Sequence, residues 1–149
     1  MPEAAVVGKI IEILLVEDNP GDVRLTKEAL KISKVHNKLA VVTDGQMAID
    51  YLRKKGAFAD VKRPDMVFLD LNLPKKSGVE VLAEIKNDPE LKLIPIIVLT
   101  TSKAEADIIR SYSLHANCYI TKPVDITQFI IIVNALESFW FSIVKLPPQ

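Results

Sequence analysis

Short apolar runs alternate along the chain with longer stretches in which apolar residues recur at helical spacing. Five runs have the length and composition of β-strands: 10–16, 39–43, 66–69, 96–100 and 118–121. The amphipathic stretches between them are 22–33, 45–55, 78–88 and 104–114, and a fifth, 126–140, follows the last run. The pattern predicts five repeats of a strand followed by a helix.

This alternation is typical of a parallel sheet, because parallel strands are joined by crossover helices that cover both faces. We therefore predict an α/β fold with helices on both faces of one five-stranded sheet. The runs 10–16, 66–69 and 96–100 are the most apolar, so we expect them in the centre and the other two at the edges. The segment 56–64 is long for a helix-to-strand connection and is expected to be a surface excursion.

Composition narrows the class of protein. The chain has 149 residues, of which 49% are hydrophobic, enough for one domain with a real core. Nineteen basic and nineteen acidic residues balance, so nothing draws the chain broadly to nucleic acid or to anionic membranes. The single cysteine, Cys118, fits a reducing cytoplasm, and Asn134 and Glu137 interrupt the longest apolar stretch. We expect a cytoplasmic domain spanning 1–149, with no signal peptide or membrane span.

Polar residues stand at the carboxyl ends of the five predicted strands: Glu17 and Asp18, Asp44, Asp70, Thr100 and Thr101, and Lys122. In an open α/β sheet, ligands bind at these ends, where the strand order reverses. If the first and third strands are neighbours, Glu17, Asp18 and Asp70 meet, whereas Asp44 follows an edge strand and lies outside the group. Three carboxylates this close take up protons or bind a cation. Oxygen donors without a His or Cys cluster favour Mg²⁺.

A carboxylate beside Mg²⁺, a lysine and a hydroxyl is suited to in-line phosphoryl transfer. In this hypothesis Asp70 is the nucleophile, and Lys122 and the metal neutralise the phosphoryl oxygens. The product is an acyl phosphate. Thr100 then donates a hydrogen bond to a new phosphoryl oxygen and reports the event to the segment that follows it.

Four motifs, "LLVEDN", "VFLDLNLPKKSG", "IIVLTTS" and "CYITKP", occur in the order found in the receiver domain of two-component response regulators, and the chain resembles that family from Ile10 to its last helix. The resemblance implies a flavodoxin-like, doubly wound sheet with strand order 2-1-3-4-5, as in the chemotaxis receivers. The chain departs from the family pattern at Ser77, where many relatives have an acid before the glycine. We expect no effect of this difference on the chemistry.

The resemblance further assigns roles to residues. Asp70 is the phosphoacceptor, and Mg²⁺ is held by Glu17, Asp18, Asp70 and the backbone carbonyl of Asn72. The roles nearer the end of the chain fall to Lys122, which pairs with the phosphoryl group, to the switch hydroxyl of Thr100, and to Tyr119, the aromatic that changes rotamer.

Further segments, "LNLPKK", "EVLAEIK", "VLTTS", "SYSLHANCY" and "ESFW", resemble the small stand-alone regulators paired with cyanobacterial phytochromes and related histidine kinases. The implied function is a stand-alone response regulator that accepts phosphate from a sensor histidine kinase, and a phytochrome is one candidate. It would catalyse its own phosphorylation and slow dephosphorylation without turning over a metabolite. Similar receivers serve other sensor kinases, so the cognate kinase stays open.

The end of the chain is more apolar than docking on a sheet requires. Most apolar residues of 129–145 project onto an arc of roughly 240°, about twice the width of a stripe that packs on a sheet. Aromatic residues are favoured interface anchors. We therefore predict a homodimer built on an extended C-terminal helix and tail, about 125–149, with the interface residues Phe139, Trp140, Phe141 and Val144.

Simpler structural roles exist for most of these residues. Asp18 and Asn19 could cap the first helix, with Pro20 in its first turn. Lys75 and Lys76 could form a solvated face of their loop, or they could attract a phosphodonor. Thr101 is an alternative switch hydroxyl.

Two other functions compete with the phosphoacceptor. One is a pseudo-receiver that is never phosphorylated and acts only as an interaction module. The other is a hydrolase with an aspartyl-phosphate intermediate, which wants a second acid two residues after the nucleophile for acid/base work. Asn72 occupies that position.

Overall fold

A computed structural model describes residues 10–32, 36–100 and 118–121, together with Thr127 and Ile131, which are both helical. The strands are β1 (Ile11–Val16), β2 (Asn37–Val42), β3 (Met66–Asp70), β4 (Ile96–Thr100) and β5 (Cys118–Thr121). The helices that follow the first three strands are α1 (Pro20–Ile32), α2 (Gly45–Leu52) and α3 (Gly78–Lys86). Single 3₁₀ turns, Gly56–Phe58 and Leu91–Leu93, follow α2 and α3.

The five described strands form one parallel sheet in the order β2-β1-β3-β4-β5. Both the α/β class and the strand order are therefore confirmed. The three most apolar strands occupy the centre, where every residue of β3 and β4 is buried, whereas the edge strand β2 is only half-buried. Register pairs Val16 with Leu69 and Asp70 with Leu99, so the central strands end at nearly the same level.

Alternate strand residues feed two hydrophobic cores, one on each face of the sheet. On one face Leu14 and Val67 pack with buried residues of α2 and α3. On the other, Leu15 and Phe68 pack with Leu30 of α1. Each such side chain contributes about 1.5–3 kcal/mol when fully buried. Because both faces are covered, the strand ends are the part of the central sheet open to chemistry.

Two elements begin earlier in the chain than the hydrophobic pattern predicts. The helix α1 begins at Pro20 because the side-chain Oδ1 of Asn19 accepts a hydrogen bond from the N–H of Asp22 at 3.0 Å. The strand β2 begins at Asn37, whose Nδ2 donates to the carbonyl of Leu30 at 3.1 Å. A side-chain hydrogen bond, which leaves no hydrophobic signal, thus lies at each boundary.

The segment after α2 is mostly exposed, as expected of a surface excursion. The helix ends at Leu52, and Lys54 adopts a left-handed conformation with φ of 56° that interrupts further helical bonding. The ring of Phe58 lies 5.2 Å from that of Tyr51 and packs against the core. One aromatic residue therefore ties the excursion to the domain.

Several predicted features lie outside the described residues: the fourth helix (104–114), Lys122, the side chain of Tyr119, and the predicted dimer residues Phe139, Trp140, Phe141 and Val144. In the part of the chain that the structure does describe, each helix is too short or too polar to cross a bilayer.

Candidate functional site

Three acidic side chains meet where β1 and β3 end. The pairing of Val16 with Leu69 places the next residues, Glu17 and Asp70, side by side. Glu17, Asp18 and Asp70 each direct a carboxylate oxygen to within 4.8 Å of the others. Glu17 and Asp70 are buried and Asp18 is exposed, so the cluster is enclosed by protein at the two buried acids and open to solvent at Asp18.

Local hydrogen bonds orient the two buried acids. The N–H of Glu17 donates to the carbonyl of Val42 at 3.0 Å, and its Oε2 accepts from the N–H of Asn19 at 3.2 Å. The Oδ1 of Asp70 accepts from the N–H of Asn72 at 3.1 Å. Both carboxylates therefore have defined positions before any ligand binds. Of the two residues that could have capped α1, Asn19 does so, whereas Asp18 joins the cluster.

The cluster carries an electrostatic cost that a cation would remove. Two unit charges 4 Å apart interact by about 4 kcal/mol at an effective dielectric constant of 20. Three carboxylate donors, two of them buried, form a hard oxygen site of the kind that binds Mg²⁺ or Mn²⁺. The residues present at Glu17, Asp18 and Asp70 thus fit a divalent metal ion.

A buried hydroxyl residue ends the strand on the other side of β3. Thr100 is the last residue of β4 and is fully buried. Register pairs Asp70 with Leu99, so Thr100 lies one residue beyond the level of Asp70. On β5, Thr121 pairs with Thr100 and is followed by Lys122, which is outside the described residues. The strand order therefore sets Thr100 on the side of Asp70 opposite the other two acids.

The loop between β3 and α3, residues 71–77, is called the acceptor loop here because it follows Asp70 directly. Its ends are joined by a hydrogen bond from the N–H of Gly78 to the carbonyl of Leu71 at 3.1 Å. A Cβ atom on Gly78 would lie 2.4 Å from the Cα of Leu71 and 2.5 Å from the carbonyl oxygen of Asp70. Only glycine lets α3 begin this close to the candidate acceptor.

The acceptor loop ends in a capping box. The Oγ of Ser77 accepts from the N–H of Glu80 at 3.2 Å, and Oε1 of Glu80 accepts from the N–H of Ser77 at 3.0 Å. Hydrogen bonding of the Glu80 carboxylate to Ser77, first to its backbone N–H and then to its side chain, lowers the pKa of Glu80. The residue that departs from the family pattern therefore starts α3. Sequence reasoning missed this role, although Ser-x-x-Glu before an apolar helix is its usual signal.

The two lysines of the acceptor loop differ in their surroundings. Lys76 is half-buried and forms an ion pair with Glu84 of α3, contrary to the expected solvated face. Lys75 is exposed, as expected, with its Nζ 3.7 Å from Oδ2 of Asp44. Asp44 lies outside the acid cluster, and its Oδ1 accepts from the N–H of Met47 at 2.8 Å and caps α2.

Residues 13–134 match the family model described as the response regulator receiver domain. The chain therefore belongs to the response regulator receiver family. The match to the family model, the order of the five described strands and the acids at the strand ends all indicate a receiver domain.

Named relatives narrow the comparison. The chain is 50% identical over 135 residues to response regulator Rcp1 of Synechocystis sp. (strain ATCC 27184 / PCC 6803 / Kazusa), covering 91% of this chain and 92% of that protein. It superposes on the phosphorylated cyanobacterial phytochrome response regulator RcpA with a TM-score of 0.77 and 54% identity, covering 90% of this chain and 96% of that one. The resemblance to cyanobacterial phytochrome response regulators is confirmed.

Solved relatives contain divalent metals. The Mn²⁺-bound form of Rcp1 matches with a TM-score of 0.76 and 48% identity, covering 93% of this chain and 99% of that one. The receiver domain of sensor histidine kinase PA1611 from Pseudomonas aeruginosa PAO1, solved with a magnesium ion coordinated in its active-site cleft, matches with a TM-score of 0.66 and 28% identity, covering 85% of this chain and 97% of that one. Receiver structures related to this chain thus bind divalent cations.

Proposed function

We propose that this chain is a response regulator that accepts a phosphoryl group from a sensor histidine kinase on Asp70, with Mg²⁺ as cofactor. The observation that carries the proposal is the convergence of Glu17, Asp18 and Asp70 within 4.8 Å at the carboxyl ends of β1 and β3. These three acids lie at the edge where open α/β sheets bind ligands.

The metal would be held by Glu17, Asp18, Asp70 and the backbone carbonyl of Asn72. When bound, it supplies positive charge that offsets the developing charge on the phosphoryl oxygens. The Mn²⁺-bound Rcp1 and the magnesium-containing PA1611 receiver support this cofactor.

The reaction is a transfer between nucleophiles. A carboxylate oxygen of Asp70 forms a bond to phosphorus while the bond from phosphorus to the histidine nitrogen of the donor breaks, and the nitrogen keeps the electron pair. Lys122 pairs with the transferred group, and Thr100 donates a hydrogen bond to it from β4. Tyr119, on β5, changes rotamer in response. Water later hydrolyses the acyl phosphate slowly, which resets the regulator without turnover of a metabolite.

The partner is a sensor histidine kinase, and the similarity to cyanobacterial phytochrome response regulators supports a phytochrome-like kinase. We propose a single receiver domain over 1–149 that works in the cytoplasm through protein contacts, without nucleic acid or membrane. Coverage of 92% of Rcp1 supports the proposed extent of the receiver domain. The segment 125–149 would form a homodimer through Phe139, Trp140, Phe141 and Val144.

Phosphorylation is tested by intact-mass spectrometry after incubation with Mg²⁺ and acetyl phosphate. The wild type should gain the mass of one phosphoryl group, and Asp70→Asn or excess chelator should abolish the gain. The Asp60→Asn variant, which removes an exposed acid of the surface excursion, is the matched control and should be phosphorylated normally. An unchanged wild-type mass would favour the pseudo-receiver instead.

Dimerisation is tested by size-exclusion chromatography with light scattering at micromolar concentration. The wild type should elute as a dimer, and Trp140→Ala combined with Phe141→Ala should shift it to monomer because these anchors carry the contact. A wild type that is monomeric throughout would contradict this part of the proposal.

A further inference from the structure

The acceptor loop is fastened to the start of α2 by direct backbone contact. The N–H of Gly45 donates to the carbonyl of Pro74 at 3.5 Å, a long hydrogen bond. A Cβ atom at Gly45 would lie 1.8 Å from the carbonyl oxygen of Lys76, so the two backbones touch where a side chain cannot fit. The second half of the loop therefore rests on α2.

A shared carboxylate fastens the same part of the loop to α3. Glu84 forms an ion pair with Lys76, and the two side chains are only 29% and 24% exposed. The other oxygen of Glu84 lies 3.3 Å from Nη1 of Arg53, just beyond the end of α2. One carboxylate thus holds two cations, and only Lys76 belongs to the acceptor loop.

The loop conformation needs such support. Lys75 has φ of 66°, in the left-handed region that costs an L-residue about 1–2 kcal/mol. Its own ion pair with Asp44 is 3.7 Å long, and the Lys75 side chain is 73% exposed, so this pair contributes little. The half-buried Lys76 pair is the stronger side-chain tie of the two.

We propose that Lys76, anchored by Glu84, is a positioning residue for the metal and phosphoryl chemistry at Asp70. By holding the acceptor loop against α2 and α3, it fixes the backbone at Asn72, whose N–H orients Asp70 at 3.1 Å. The inference rests on the proposed function, in which the carbonyl of Asn72 helps to bind Mg²⁺. Lys76 acts through the loop and touches neither the metal nor the phosphoryl group.

The sign of one measurement separates positioning from simple electrostatics. Lys76→Met removes a positive charge from the acceptor loop that follows Asp70, which by Coulomb's law alone should leave Mg²⁺ binding unchanged or tighten it. If Lys76 positions the loop, the same change should weaken Mg²⁺ binding, by about tenfold, as is typical of lost outer-shell support. The dissociation constant for Mg²⁺ is measured by titration calorimetry on the full chain.

The matched control is Arg53→Met. This substitution removes a cation of equal charge from the same carboxylate, Glu84, but leaves the ion pair between Lys76 and Glu84 intact. Its Mg²⁺ dissociation constant should stay within about twofold of the wild type, or fall slightly, as Coulomb's law requires. Lys76→Arg keeps the ion pair and should restore wild-type binding.

A second readout is independent of the metal. In metal-free protein, hydrogen exchange at the amides of Asn72 and Ser77 should be faster in Lys76→Met than in Arg53→Met, with similar thermal melting for both. If Lys76→Met does not fold, Lys76→Gln serves in both measurements. Mg²⁺ binding that is unchanged or tighter in the Lys76 variant overturns the inference. Absence of Mg²⁺ binding and phosphorylation in the wild type would instead overturn the proposed function.

Discussion

Two loops border the acids of the site, and they are held in different ways. The β1–α1 loop, residues 17–19, is short, and its side-chain hydrogen bonds are local: the N–H of Asn19 donates to Glu17, and the side chain of Asn19 caps α1. The acceptor loop, residues 71–77, is longer and is fixed by α2 and α3. A short loop can be held by hydrogen bonds among its own residues, whereas a longer loop needs contacts with other elements of the fold.

The largest difference is expected from glycine substitutions at the two loops. Gly78→Ala should destabilise the protein by about 3 kcal/mol or more, because its Cβ would meet backbone that cannot move aside. Gly21→Ala, in the first turn of α1, meets only the side-chain Oδ1 of Asn19 at 3.2 Å and should change stability by at most about 1 kcal/mol. Urea denaturation measures both, and equal effects would contradict the contrast between the loops.

The acid cluster at the ends of β1 and β3 should couple the stability of the protein to metal binding. At a Mg²⁺ concentration a hundred times its dissociation constant, the wild type should gain about 2.7 kcal/mol of stability. Asp18→Asn removes one donor and should lose most of that gain, whereas the control Asp60→Asn should keep it. Denaturation with and without Mg²⁺ tests this, and an undiminished gain in Asp18→Asn would argue against its role as a ligand.

The helices α1 and α3 are each capped by a side-chain oxygen, from Asn19 and Ser77, so the two caps can be compared directly. Asn19→Ala and Ser77→Ala should each cost about 1 kcal/mol, the usual value of a lost N-cap. Only Ser77→Ala should also slow phosphorylation by acetyl phosphate, because it loosens the end of the acceptor loop. Denaturation curves and phosphorylation time courses decide this, and equal rates for the two variants would show that the cap is purely structural.

The smallest effect concerns pH. Hydrogen bonds from Ser77 lower the pKa of Glu80 in the folded state below its ordinary value of 4.5. A carboxyl with a lowered folded pKa contributes stability above its unfolded pKa and loses that contribution as pH falls through the folded pKa. The stability difference between wild type and Glu80→Gln should therefore shrink on acidification from pH 7 to below about 4.5. Denaturation midpoints across this range provide the test; a constant difference would rule out the carboxylate form as the source.

Family membership and strand order were accessible from the sequence, as the fold and the comparisons confirm. The apolar runs and the motifs around Glu17, Asp18 and Asp70 carried that information directly. Element ends were less accessible from the hydrophobic pattern: α1 and β2 begin earlier than it predicts, at Pro20 and Asn37, although Asn19 was a recognisable cap for α1. The capping box at Ser77 had a readable signal, whereas the Lys76 pair with Glu84 had none.

The sequence by itself determined the alternation of strands and helices and placed an acid after each of the two strands that later meet. It could do so because burial imposes a period on the chain and because strand ends share one edge of a parallel sheet. Only the tertiary structure decided how the acceptor loop is held. Gly45 and Lys76 are far apart in the chain, and contact between two backbones leaves no periodic pattern in either segment.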